Sequence, residues 1–142
     1  MNQWRPFDIK TFLKASKHWD DDIKRLQSEH DNLSVLPSSN DVPSAKSGTI
    51  SDITAKAALR RLEIAAQIEE ILLYKEILDF AFKMLPDEDK ELIRGFYYPT
   101  KSISFFVQDY GRSHGMGQTK VYQEKTRIEN TMARYIETKY YS

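Results

Sequence analysis

Cysteine is absent from the 142 residues, which excludes disulfides, thiol nucleophiles and the common thiolate zinc sites. Net charge is also missing: 21 Lys and Arg are balanced by 21 Asp and Glu, so the chain as a whole has no general attraction to nucleic acid. No apolar run approaches the ~18 residues of a membrane span, and no leader peptide pattern is visible. These absences imply a soluble chain in the cytoplasm, with no membrane partner. No grouping of nucleophile, base and orienting acid occurs, and no metal-ligand spacing, so neither an enzyme, a cofactor nor a metal site is expected.

What is present is helical patterning. Between Asp8 and Leu33, Phe12, Trp19, Leu26 and Leu33 recur every seventh residue, with Leu13 and Ile23 beside them, so residues 1–33 are expected to form one amphipathic helix. Residues 34–51 hold two prolines, one glycine and six serines, the composition of a flexible linker. Ser51 and Asp52 offer a helix cap, and the 32 residues from Ile53 to Met84 contain no proline or glycine, which predicts a long helix over residues 52–84. Its apolar positions Ala57, Ile64, Ile68, Ile71, Leu78, Phe82 and Leu85 keep three- and four-residue steps, interrupted by Arg61 and Lys75. Two such helices suggest a homo-oligomer held by their apolar stripes; the alternative is that the first helix simply covers the second.

Residues 85–142 read as a helix-turn-helix unit. Leu85-Pro86-Asp87-Glu88-Asp89 opens a helix, with proline suited to its first position and acids suited to the positive end of its dipole. Ser102 can cap a second helix whose Ile103, Phe106, Val107 and Tyr110 share a face, with Gly111 as the expected stop. After Gly115-Met116-Gly117, a helix from Gln118 to about Glu137 turns Val121, Ile128, Met132 and Ile136 inward. That leaves Gln118, Thr119, Lys120, Gln123, Lys125 and Arg127 outward, types that hydrogen-bond bases and phosphates. Charge is distributed to match: from Pro99 onward there are seven basic and four acidic residues, against two and four between Pro86 and Tyr98.

Several sharper patterns have blander explanations. Asp20-Asp21-Asp22 cannot converge on one ion, because neighbouring helical positions point about 100° apart. The aromatic cluster Phe96, Tyr97, Tyr98, Phe105 and Phe106 has the spacing of core packing rather than of a base-stacking platform. Gly111 to Gly117 carries three glycines without the Gly-Lys-Ser/Thr ending of a phosphate loop. His114 has no ligand or acid partner at a useful spacing.

Leu85 to Tyr97, Ser102 to Gly111 and Thr119-Lys120-Val121-Tyr122 together resemble the C-terminal helix-turn-helix of phage late-transcription activators of the RinA and ArpU type, a unit similar to the promoter-reading region four of sigma factors. Ser47 to Ala58, a Ser/Gly loop leading into a long helix, resembles the segment that precedes it. The likeness spans Ser47 to about Ile136. It departs at the turn, where three residues separate Gly111 from Gly115-Met116-Gly117. The resemblance implies a phage-encoded regulator in the host bacterial cell that binds double-stranded DNA in sequence-specific fashion and activates late genes, with host RNA polymerase as candidate partner. Gln118, Thr119, Lys120 and Gln123 would approach base edges, and Arg112, Tyr122, Lys125 and Arg127 would contact phosphates. A helical phage adaptor, an assembly protein or a small terminase subunit is the alternative.

Overall fold

A computed structural model describes residues 8–34 and 47–141, and all regular structure among those residues is helical: α1 (Ile9–Ser16), α2 (Trp19–Ser34), α3 (Ser47–Lys83), α4 (Asp87–Tyr97), α5 (Ile103–His114) and α6 (Gln118–Tyr140). The chain divides into two units, one of residues 18–74 and one of residues 1–17 with 75–142. The expected linker lies mostly outside the described residues.

Four expectations need correction. The first helix is not continuous, because Lys17 and His18 form a turn between α1 and α2. Its seven-residue stripe is shared between two cores: Ile9, Phe12 and Leu13 are buried in one unit, Trp19 and Leu26 in the other. Asp20, Asp21 and Asp22 are therefore not in mid-helix but in the first turn of α2, where they complement its dipole. The long helix begins at Ser47 rather than Asp52. Extending an existing helix adds one hydrogen bond per residue fixed, so weak formers such as Gly48 are carried along once nucleation is done. Pro86 is the N-cap of α4, one position ahead of the place expected, and Asp87, Glu88 and Asp89 fill the first turn.

In the unit of residues 18–74, α2 covers one side of α3. Trp19 and Leu26 of α2 are buried, as are Ala57 and Ile64 of α3, and the rings of Trp19 and Tyr74 stand 5.9 Å apart. Arg61, which interrupts the α3 stripe, and its neighbour Arg60 reach α2: Arg60 donates to both carboxylate oxygens of Glu29, at 2.6 and 3.0 Å, and Arg61 donates to the carbonyl of Leu33 at 3.4 Å. The hydrogen bond from Arg60 holds the Glu29 carboxyl below its ordinary range.

In the other unit α1, α4 and α5 all pack on α6. Asp8 caps α1, accepting from the amide of Thr11 at 3.1 Å and from its hydroxyl at 2.6 Å. The core joins Phe12 and Leu13 of α1, Leu92 and Ile93 of α4, Phe106, Val107 and Tyr110 of α5, and Val121, Ile128, Met132 and Ile136 of α6. Ile77, Leu78, Ala81 and Leu85 are buried here as well. The crossing of α4 and α5 depends on Gly95, since a Cβ there would fall inside the ring of Phe106. That ring in turn meets Phe96 edge-on, 5.6 Å between centroids. Gly95→Ala is expected to force the ring aside and lower stability by about 1–3 kcal/mol, the usual cost of overpacking. Urea denaturation followed by circular dichroism checks this; an unchanged midpoint contradicts the packing described.

Candidate nucleic-acid interface

The site is built from α5, the turn after it and the first half of α6. Ser102 starts α5 by accepting from the amide of Phe105 at 3.1 Å. Gly111 does not stop this helix, contrary to expectation; α5 runs on to His114 and ends at Gly115, whose φ of 66° and ψ of 36° are left-handed. The amide of Met116 then donates back to the carbonyl of Gly111 at 2.7 Å, closing the helix with a bond that only a residue free of Cβ strain makes cheaply at the preceding position. The three residues between Gly111 and Gly115 thus continue the helix rather than form extra loop. Three residues, Gly115-Met116-Gly117, separate α5 from Gln118, the length typical of a helix-turn-helix connection.

The rotation of α6 about its own axis decides which residues reach solvent. Val121, Met132 and Ile136 are wholly buried and Ile128 nearly so. Beside them sits Glu129, a carboxylate only 1% exposed. It accepts from the Tyr97 hydroxyl and pairs with Lys125 one turn earlier, at 2.8 Å. The ammonium of Lys125 also lies over the rings of Phe96 and Tyr97, 5.3 Å from each centroid. Burial, and then the bond to Glu129, push the Tyr97 hydroxyl well above its ordinary pKa, so it remains a donor. Charge, hydrogen bond and ring faces together tie the end of α4 to the middle of α6.

This corrects the placement of Lys125. It was expected on the outward face, but its side chain is only 18% exposed and is engaged with Glu129. The other predicted site residues do face solvent: Arg112, Gln118, Thr119, Lys120, Tyr122, Gln123 and Arg127 are all exposed. Gln118, Thr119, Tyr122 and Gln123 come together with Thr126 along an open groove of about 530 Å³. Tyr122 also packs on Phe96 at 5.3 Å, and 42% of it stays exposed. Arg112 stands apart, in the last turn of α5.

Every exposed residue from Gln118 to Arg134 is neutral, aromatic or basic; the two glutamates of that stretch are withdrawn, Glu129 into the core and Glu124 to a half-buried position. Thr126, Asn130 and Arg134 belong to this face and were missed. Their signal was the period: they continue the line of Thr119 and Gln123 at three- and four-residue steps. The cations of the face have carboxylate neighbours. Lys120 lies 3.6 Å from Glu124, Arg127 lies 2.9 Å from Glu124 and 3.3 Å from Asp89, and Arg112 lies 3.9 Å from Asp109. The hydrogen bond from Arg127 holds Glu124 below its ordinary pKa. Burial raises the Tyr110 hydroxyl to about 12, and Tyr110 stacks on His114 at 3.9 Å. His114 is thereby used as a packing residue, its Nδ1 2.9 Å from the Tyr110 carbonyl.

No group of residues able to hold a metal occurs among the described residues, and none of their helices is long and apolar enough to cross a membrane. Comparisons with protein-family models, curated proteins and solved structures find no match to this chain.

Removing Lys125 leaves the Glu129 carboxylate buried with the Tyr97 hydroxyl as its remaining partner. Lys125→Met is expected to cost about 3–5 kcal/mol, the usual penalty for an uncompensated buried charge, and Lys125→Met with Glu129→Leu much less than the sum of the two single changes. Lys120→Ala, on the open surface, should stay within about 0.5 kcal/mol of the parent. Denaturant midpoints for the set decide the matter; equal effects of Lys125→Met and Lys120→Ala contradict the clamp.

Proposed function

We propose that the chain is a phage-encoded, sequence-specific DNA-binding regulator of transcription that inserts α6 into the major groove of double-stranded DNA. The observation that carries this reading is the acid-free exposed face of α6, presented after a three-residue turn by a helix packed across it. Gln118, Thr119, Lys120 and Gln123 sit in the first turns, where recognition helices meet base edges, and their side chains offer the donors and acceptors that base edges answer. Arg127, Arg134 and Arg112 are placed to meet phosphates at the flanks, with the Tyr122 hydroxyl as a further donor. The resemblance to phage late-transcription activators supports activation of late genes in the host bacterial cytoplasm, with host RNA polymerase as partner.

The carboxylates beside Lys120, Arg127 and Arg112 bear on the strength of binding. Exposed ion pairs are worth about 0–1 kcal/mol, so Lys120, Arg127 and Arg112 can exchange their acids for phosphates at small cost. The exchange releases fewer counterions than a bare basic face would, and non-specific affinity is correspondingly low. The same pairing favours the second reading, a helical phage adaptor, assembly protein or small terminase subunit. For a terminase subunit the order of parts is unusual, with the long helices ahead of the DNA-binding unit.

Selection of duplexes from a random-sequence pool by the whole protein tests the proposal. One enriched motif is expected. On that motif Gln123→Ala and Lys120→Ala should each lose about 1–3 kcal/mol and narrow the gap to random duplex. Arg112→Ala should weaken all duplexes alike and reduce the salt slope by about one. A pool without enrichment, or variants that bind like the parent, favours the adaptor reading.

A further inference from the structure

The face of α3 opposite α2 bears exposed apolar residues. Ala57 and Ile64, which α2 covers, are 7% and 0% exposed, whereas Leu59, Leu62 and Leu73 are 61%, 68% and 48% exposed. Those three leucines, with the exposed Ala55 and Ala66, fall at steps of four, three, four and seven residues. That spacing makes one stripe, about half a turn around the helix from Ala57 and Ile64 and ~27 Å long. The self-association surfaces read from the sequence were instead the stripes carrying Trp19 and Leu26 on one helix and Ala57 and Ile64 on the other, and all four are buried within their own chain. Contiguous exposed apolar surface of this kind marks an interface.

The charges beside the stripe identify what it fits. One flank of the stripe carries Asp52, Lys56, Glu63 and Glu70 at steps of four, seven and seven residues, and the other carries Glu69 and Glu76. Arg60 and Arg61 are engaged with α2, but Lys56, Glu69 and Glu70 have no ion-pair partner among the described residues. Lys56 and Glu70 lie on the same side of the stripe, about four turns apart. When two copies of the helix are laid together antiparallel about Glu63, each Lys56 meets the other copy's Glu70, twice over by symmetry, while the two Glu63 carboxylates at the dyad each keep their own Arg60 at 3.4 Å. In a parallel pair opposite flanks face each other, so Glu70 would lie near the other copy's Glu69 and Lys56 would find no acid at its level. Small residues at Ala55, Ala66, Ala58 and Ala65 let the two helices approach closely.

We propose that the chain self-associates as an antiparallel homodimer through this face of α3, with Leu59, Leu62, Ala66 and Leu73 as its apolar seam and Lys56 to Glu70 as its reciprocal ion pairs. The seam lies wholly within the unit of residues 18–74, so the dimer does not depend on how the α6 face is used.

Sedimentation of the full chain tests the proposal, with the expectation of a concentration-dependent dimer. Leu62→Glu should raise the dimer dissociation constant at least a hundredfold with an unchanged helical circular dichroism spectrum, since Leu62 has no part in the chain's own core. Lys56→Glu alone and Glu70→Lys alone should each raise it about tenfold, and the double variant should restore it. The absence of cysteine allows orientation to be read directly: Ala55→Cys should not cross-link to itself under oxidation but should cross-link to Leu73→Cys in a mixture. A monomer at all concentrations overturns the proposal. So does a dimer indifferent to Leu62→Glu, which would place the interface elsewhere, or self-cross-linking of Ala55→Cys, which would make it parallel.

Discussion

The rotational setting of α6 is the constraint on which the candidate interface depends, and the Glu129–Lys125–Tyr97 cluster helps to fix it. Apolar packing alone constrains a helix loosely about its axis, because Val121, Ile128, Met132 and Ile136 present similar surfaces through a modest rotation. A carboxylate 1% exposed tolerates no such slack. Moving Glu129 outward would expose apolar neighbours, and moving it away from Lys125 or Tyr97 would strand a charge in a medium that penalises it. With Glu129 held inward, Thr119, Gln123, Thr126 and Asn130 must point to solvent. The chemistry of the outer face thus follows from an ionic contact on the inner one.

The two units use apolar sequence differently. In the unit that contains α6, Phe12, Leu92, Phe106 and Val121 come from four helices and close on one another, so little large apolar surface is left over; the exceptions there are Met84, Phe105 and Tyr122. The unit of residues 18–74 has two described helices, and a two-helix layer cannot cover both sides of α3. Four leucines and an isoleucine of α3 consequently remain exposed. The first arrangement suits a self-sufficient recognition unit, and the second suits a surface completed by another chain.

Much of this architecture was legible in the sequence. Ser102, the acids after Pro86 and the spacing of Val121, Ile128, Met132 and Ile136 located the C-terminal helices, because caps and apolar periods are local signals. The break at Lys17–His18 was not legible, since neither residue is a helix breaker and the seven-residue stripe runs straight through it; the stripe is divided between two cores, a tertiary fact. Gly111 looked like a stop because glycine commonly ends helices, yet the residue that adopts the left-handed conformation is Gly115. Lys125 was read as outward because charged residues usually are. The correcting signal lay four residues on, where Glu129 falls between two core positions and so needs a cation from its own face. Asn130 and Arg134 lie beyond the first turns of α6, where base-reading residues are expected, although the period that exposes Gln123 exposes them too.

The account stands or falls on whether the solvent face of α6 meets duplex DNA. Amide chemical-shift mapping of the whole protein, titrated with a random-sequence duplex at low salt, reports this residue by residue. The largest shifts are expected from Gln118 to Arg127 and at Asn130 and Arg134, with α2 and the exposed leucines of α3 unaffected. An unchanged spectrum, or shifts centred on α3 and absent from α6, would contradict it.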